Sequence, residues 1–198
     1  MIAVTTAVKA VHGPYLILLI VTVVVSASAE LRQLAKARPE ATKVDWKDEI
    51  VLRVGVLAGV AVALLALFHV PAAAIRSTAL AVWLGLIFVW CGVALRIWCF
   101  HTLGRYFTLT VRTSSDQPVI ADGPYRVLRH LSCAGSLLVV AGIGCFFHNW
   151  LSLLAIVAGM TVGLVYRIRA EEGALVRDLG DRYREYAASR KRLVPYVW

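Results

Sequence analysis

Nothing in this sequence pairs its cysteines. Cys91, Cys99, Cys133 and Cys145 lie in or beside apolar stretches without a Cys-x-x-Cys spacing, which argues against a disulfide framework and reads them as small membrane residues. The five histidines are scattered, so no metal site is suggested. Acids are scarce, 12 Asp and Glu against 21 Lys and Arg, for a net charge of +9. Internal repeats and low-complexity tracts are missing. The apolar stretches also lack the mid-span polar or helix-breaking residues and duplicated halves that mark a transporter.

What is present is apolar. Hydrophobic residues make up 60% of the 198, against about half in a soluble domain, so residues 1–198 read as one membrane-embedded unit. A basic excess can indicate nucleic acid or an anionic membrane surface. Here the basic residues fall between apolar spans, which favours the membrane and excludes nucleic acid as the partner. Five spans are predicted, at 14–29, 50–69, 78–100, 132–147 and 150–166. The fold class is an all-α integral membrane protein with five transmembrane helices and a C-terminal cytoplasmic amphipathic helix. The first span, preceded by Lys9 and followed by Ala27, Ser28 and Ala29, imitates a signal peptide. It reads instead as a retained helix, because the segment after it carries Arg32, Lys36, Arg38, Lys43 and Lys47, a cytoplasmic signature.

The charges give a topology. Basic residues number 5 in segment 30–49, 4 in 101–131 and 7 in 169–198, against 2, Lys9 and Arg76, in the segments assigned to the outside. That places the N-terminus outside and the C-terminus in the cytoplasm. Arg53, Arg96 and Arg167 sit at span ends. For Arg96 two readings stand, a snorkelling anchor or a residue lining a chamber. Segment 101–131 holds a turn cluster at 114–118 and the apolar pair Val119 and Ile120, and is expected to lie over the membrane surface as a lid. The apolar stretch 132–165 is too long for one span. It is expected to turn as a hairpin at His148 and Asn149. Past Arg167, Leu175, Leu179, Tyr183 and Tyr186 recur at helical spacing.

Two polar groups are left at the same membrane face. One is segment 122–135, with Gly123-Pro124 as a turn and Arg126, Arg129 and His130 at helical spacing. The other is Arg167, Arg169, Glu171 and Glu172. One out-and-back crossing separates them, so they should meet.

The order Gly123-Pro124-Tyr125-Arg126, Arg129-His130, Gly135, Glu171-Glu172, Gly180-Asp181-Arg182-Tyr183, Tyr186 and Lys191-Arg192-Leu193-Val194-Pro195, with the run from Arg96 to Thr108 upstream, resembles the isoprenylcysteine carboxyl methyltransferase family. Those are integral-membrane enzymes that use S-adenosylmethionine. The resemblance covers about residues 90 to 198. It departs where the family has proline and tyrosine and this chain has Leu131 and Cys133, so no role of that tyrosine carries over.

The resemblance implies S-adenosylmethionine as cofactor and a lipophilic small molecule or lipidated acceptor drawn from the membrane. Arg129 and His130 would lie against the amino-acid end of the cofactor, Gly135 would let it approach a helix, and Tyr125 would line the chamber. Glu171 and Glu172 would orient cofactor or substrate, with Arg169 bridging to an anionic acceptor and Arg96 lining the chamber. A carboxylate acceptor needs mainly positioning, with Arg96 or Arg169 as a fork, whereas an amine acceptor needs Glu171 or Glu172 as base. Singly, each of these charges is also a plain helix-face charge or lipid-phosphate anchor. The rival functions are a sterol-type membrane reductase with a nicotinamide cofactor and a non-enzymatic scaffold or transporter.

Overall fold

The computed structural model describes residues 47–107 and 118–193 continuously, together with positions 20, 21, 24, 25, 28, 31, 32, 42, 43, 112, 113 and 198. Its helices are α1 (Lys47–His69), α2 (Thr78–Leu103), α3 (Leu131–Cys145), α4 (Trp150–Leu179) and α5 (Asp181–Ala188). Two short strands, β1 (Thr42–Lys43) and β2 (Arg112–Thr113), pair antiparallel. Short 3-10 turns run over Pro71–Ala73, Gly104–Tyr106 and Gly123–Arg126. The expected span at 14–29 lies mostly outside the described residues, though positions 20, 21, 24, 25 and 28 are helical. The turn cluster at 114–117 lies outside them too.

Local chemistry sets the helix limits. Ser77 caps α2 by accepting the Leu80 N–H at 3.3 Å, and Asn149 caps α4 by accepting the Ser152 N–H at 3.0 Å, each satisfying an orphan donor of the first turn. Asp48 and Glu49 fall in the first turn of α1, where the helix dipole favours negative charge. Gly104 and Gly180 end α2 and α4 at φ of +53° and +57°, a region other side chains rarely enter. Arg53 stands out into solvent and pairs with Glu49 at 3.2 Å.

Among the described residues, α1, α2 and α4 are long and apolar enough to cross a membrane. Three of the five expected spans are thus found among the described residues. Helix α3 has 15 residues, about 22 Å at 1.5 Å per residue, short of a ~30 Å hydrocarbon core. The last expected span also differs in form, because no break follows residue 166. Helix α4 runs on for 30 residues through Gly173 to Leu179, with no proline in its length to break it. The bend falls at Gly180, and α5 completes the expected apolar stripe from there.

Helix α1 packs along α4, α2 along α3, and α3 along α4. Glycines seam the first two pairs. A Cβ on Gly55 would stand 2.6 Å from the Gly159 carbonyl oxygen, and one on Gly142 would stand 2.6 Å from that of Gly85. Backbones this close gain packing where lipid offers no hydrophobic drive between helices.

The antiparallel hairpins sort the connections into two ends. At one, the turns at 70–77 and 146–149 are tied together. Asn149 Nδ2 donates to the Val70 carbonyl at 3.0 Å, Ile75 N–H to the His148 carbonyl at 2.8 Å, and Ser152 Oγ to the Ala63 carbonyl at 2.6 Å. His148 takes a φ of +51° to make this turn. The hairpin thus reverses where the sequence placed it. At the other end lie the 3-10 turn at Gly123–Arg126, α5, the paired strands, and the tail at 191–193.

Candidate active site

The two polar groups that the sequence sets 40 residues apart meet at the second end. Arg129 Nη1 lies 2.7 Å from Glu172 Oε1, and His130 Nε2 lies 3.1 Å from the same oxygen. The other carboxylate oxygen accepts from Arg192 Nε at 2.7 Å. His130 Nδ1 faces Glu171 Oε2 at 3.6 Å. His130 and Glu172 are buried, whereas the Glu171 side chain keeps about a third of its surface exposed.

Backbone bonds fix the same pair from behind. The N–H groups of Arg129 and His130 donate to the carbonyls of Lys191 and Arg192 at 3.0 and 2.9 Å, and Leu128 bridges Lys191 in parallel. Tyr186 Oη donates to the Tyr125 carbonyl at 3.1 Å, which anchors the 3-10 turn on α5. Leu179, Tyr183 and Tyr186 form a buried cluster on which Val119 and Ala121 rest. That is the expected covering segment, in the part that is described.

Glu172 lies about 33 Å along α4 from Trp150 at 1.5 Å per residue, past a ~30 Å core. Burial works to raise its carboxyl, but hydrogen bonds from His130 and Arg192 and the charges of His130 and Arg129 outweigh it and hold the group below the ordinary carboxylate range. Burial pushes the Tyr186 phenol up to about 12 and raises those of Tyr125 and Tyr183 further, so all three stay protonated.

In front of this cluster opens a cavity of about 270 Å³. Arg96, Arg129, His130, Arg167 and Glu171 give it a charged wall, and Leu52, Leu103, Phe107, Met160 and Leu164 an apolar one. Tyr125, Tyr183 and Tyr186 also reach it. Arg96 is on the cavity wall, donating to Ser136 Oγ with its guanidinium 5.2 Å from the Phe100 ring centroid.

Three expected residues stand elsewhere. Arg169 is exposed and off the cavity. It lies two residues, about 200°, around the helix from Glu171, and Arg167, a full turn away from Glu171, takes the inward place. Glu172 sits behind the wall rather than on it, held by Arg129, His130 and Arg192. Gly135 faces α2, not the cavity, since a Cβ there would stand 2.9 Å from both Arg96 Cγ and the Gly92 carbonyl oxygen. Its close approach is helix to helix. The sequence reading gave no site role to Arg192, Ser136 or Arg167. Only Arg167 left a usable signal, its four-residue spacing from Glu171.

Comparison with known proteins points to one family. Residues 81–177 match the isoprenylcysteine carboxyl methyltransferase family. It is this family that the chain is similar to. The protein-S-isoprenylcysteine O-methyltransferases A and B of Arabidopsis thaliana are 31% and 30% identical to it over 115 residues, 57% of this chain and 58% of theirs. A probable protein-S-isoprenylcysteine O-methyltransferase of rice, Oryza sativa subsp. japonica, is 30% identical over 117 residues, 58% of this chain and 61% of its own. The structure of the eukaryotic intramembrane Ras methyltransferase ICMT superposes with a TM-score of 0.55 at 23% identity, over 73% of this chain and 52% of that one. The chain thus spans between half and two thirds of the length of these relatives. Family and apolar helices together make it an integral membrane protein. The matched region starts nine residues before the resemblance seen in the sequence and stops before Gly180, so the tail that bonds Arg129 and His130 lies beyond it.

Proposed function

We propose that this chain is a methyltransferase that uses S-adenosylmethionine to methylate a lipophilic acceptor at the cytoplasmic membrane face, in the first place the carboxylate of an isoprenylcysteine. The observation that carries this reading is the convergence of Arg129, His130 and Glu171 on one cavity with a charged wall and an apolar one. That donor set fits the cofactor's zwitterionic end. Arg129 and His130 would hold its carboxylate and Glu171 its ammonium, while the tyrosines and leucines suit its apolar surface. When bound, the cofactor supplies an electrophilic methyl on a sulfonium sulfur.

The protein's share is then positioning. Arg96 and Arg167 face the same cavity and present guanidinium forks to a carboxylate acceptor, which needs no base. The apolar wall and the covering segment at 118–121 exclude water from it. A calorimetric titration with S-adenosylmethionine or S-adenosylhomocysteine is expected to give micromolar-range affinity, about −8 kcal/mol. No heat with either, while a nicotinamide dinucleotide binds, would overturn the assignment in favour of a reductase.

The site end is assigned to the cytoplasm and the N-terminus to the outside by the distribution of basic residues. In a background lacking the native cysteines, Ala72→Cys should react with an impermeant reagent added outside, and Ser189→Cys only after the membrane is opened. Both positions are exposed. Labelling of the two from one side would sink the orientation.

A further inference from the structure

We propose that Arg192, in the tail beyond the matched region, is a positioning residue of the site: its guanidinium and its backbone carbonyl together hold Glu172 and His130 in the arrangement that aims His130 and Arg129 at the cavity. This rests on the functional reading above for its consequence, but not for its geometry. Arg192 does not line the main cavity. Its Nε donates to Glu172 Oε2 at 2.7 Å, while its carbonyl accepts the His130 N–H at 2.9 Å. Both ends of the His130–Glu172 contact are therefore fastened to one residue. The guanidinium is itself steadied 5.4 Å from the Trp198 ring centroid.

The mechanical argument is one of lone pairs. Arg129 and His130 both use Glu172 Oε1, and bonds at one oxygen alone leave the carboxylate some freedom to turn about its Cγ–Cδ bond. The Arg192 bond on Oε2 removes this freedom. Without it a buried oxygen of an ionised group is left unmatched, and the carboxylate would turn to find another donor, dragging the imidazole and Arg129 with it. Besides Arg192, the groups facing Glu172 are Arg129 and His130 from the segment before α3, Tyr183 from α5, and Glu171 on its own helix. None of these is a second cation on the Oε2 side.

The test reads the imidazole directly, in the full-length protein without ligand. Nitrogen-15 resonances of the ring are followed in wild type, Arg192→Gln and Arg192→Lys, with His130→Gln to assign the signal among the five histidines. Arg192→Gln should move the His130 Nε2 resonance and leave the other four in place, and Arg192→Lys should restore most of the shift. In a Glu172→Gln background, Arg192→Gln should add nothing. Affinity for S-adenosylhomocysteine should fall about tenfold in Arg192→Gln, equivalent to about 1.4 kcal/mol, and recover in Arg192→Lys. An unmoved His130 signal, or an equal further shift in the Glu172→Gln background, overturns the proposal. If the resonance responds as described but wild type binds no S-adenosyl ligand, the positioning role stands and the functional reading falls.

Discussion

The two ends of the helix bundle solve one problem with different chemistry. At the turn end, neutral side chains close the gaps: Asn149 and Ser152 donate to the carbonyls of Val70 and Ala63. At the site end, two guanidinium groups and an imidazole converge on one carboxylate. Neutral donors fix a turn cheaply, because losing water costs an amide or hydroxyl far less than a charge. Charges are concentrated where the zwitterionic end of the proposed cofactor would be recognised. The turn end is therefore built for geometry, and the site end accepts an electrostatic burden for binding.

This contrast breaks most sharply at Glu172. Glu172→Gln should cut turnover at least about 100-fold and lower the melting temperature, since removing one partner of a buried ion cluster costs about 3–5 kcal/mol. The same change is the first point at which the two ends could prove alike. Turnover within threefold of wild type would make the cluster as passive as the turn.

Gly55→Val tests the seam joining the ends. With the Gly159 carbonyl 2.6 Å from the added Cβ, overpacking should cost about 1–3 kcal/mol or more, read as a lower melting temperature. Asn149→Ala should cost about 0.5–2 kcal/mol by removing the α4 cap and leaving the Ser152 N–H without its acceptor, with affinity for S-adenosylhomocysteine unchanged. A fall in affinity would show the ends to be coupled. Acid provides a milder probe of the site end alone. Because the folded Glu172 carboxyl lies below its unfolded value, its contribution to stability is complete above the unfolded carboxyl range near about 4.3. That contribution drains away as pH falls through the folded value. A melting-temperature profile below pH 5 should therefore be flatter in Glu172→Gln. The smallest effect is reserved for Arg169→Ala, under about threefold in turnover, against a larger loss in Arg167→Ala.

The long apolar helices, the hairpin reversal at His148 and Asn149, and the meeting of Arg129 and His130 with the glutamate pair were legible in the sequence, because hydropathy and charge placement act through the whole chain. Registers and rotations were not. Arg167 and Arg169 look alike in one dimension, and only the 100° step per residue of α4 decides which faces inward. Gly135 read as a cradle because a glycine says that something comes close without saying what; here it is α2. Nor does a sequence show that a polar residue is saturated. The adjacent glutamates looked equivalent, yet one is open to the cavity and the other is locked behind it by a tail whose pairing with Leu128 leaves no periodic trace.

Helix α4 runs unbroken from the Asn149 cap past Glu171 and Glu172. At 1.5 Å per residue its 30 residues measure about 45 Å, some 15 Å more than a ~30 Å hydrocarbon layer. The carboxylates are thus mounted on a stiff mast that emerges from the bilayer. A thinner membrane is met by tilt, a thicker one by standing upright, and either changes how far the masthead and the loop bonded to it stand above the lipid. Bilayer thickness is therefore expected to bear on the site, with turnover in vesicles of graded acyl-chain length as the measurement that checks it.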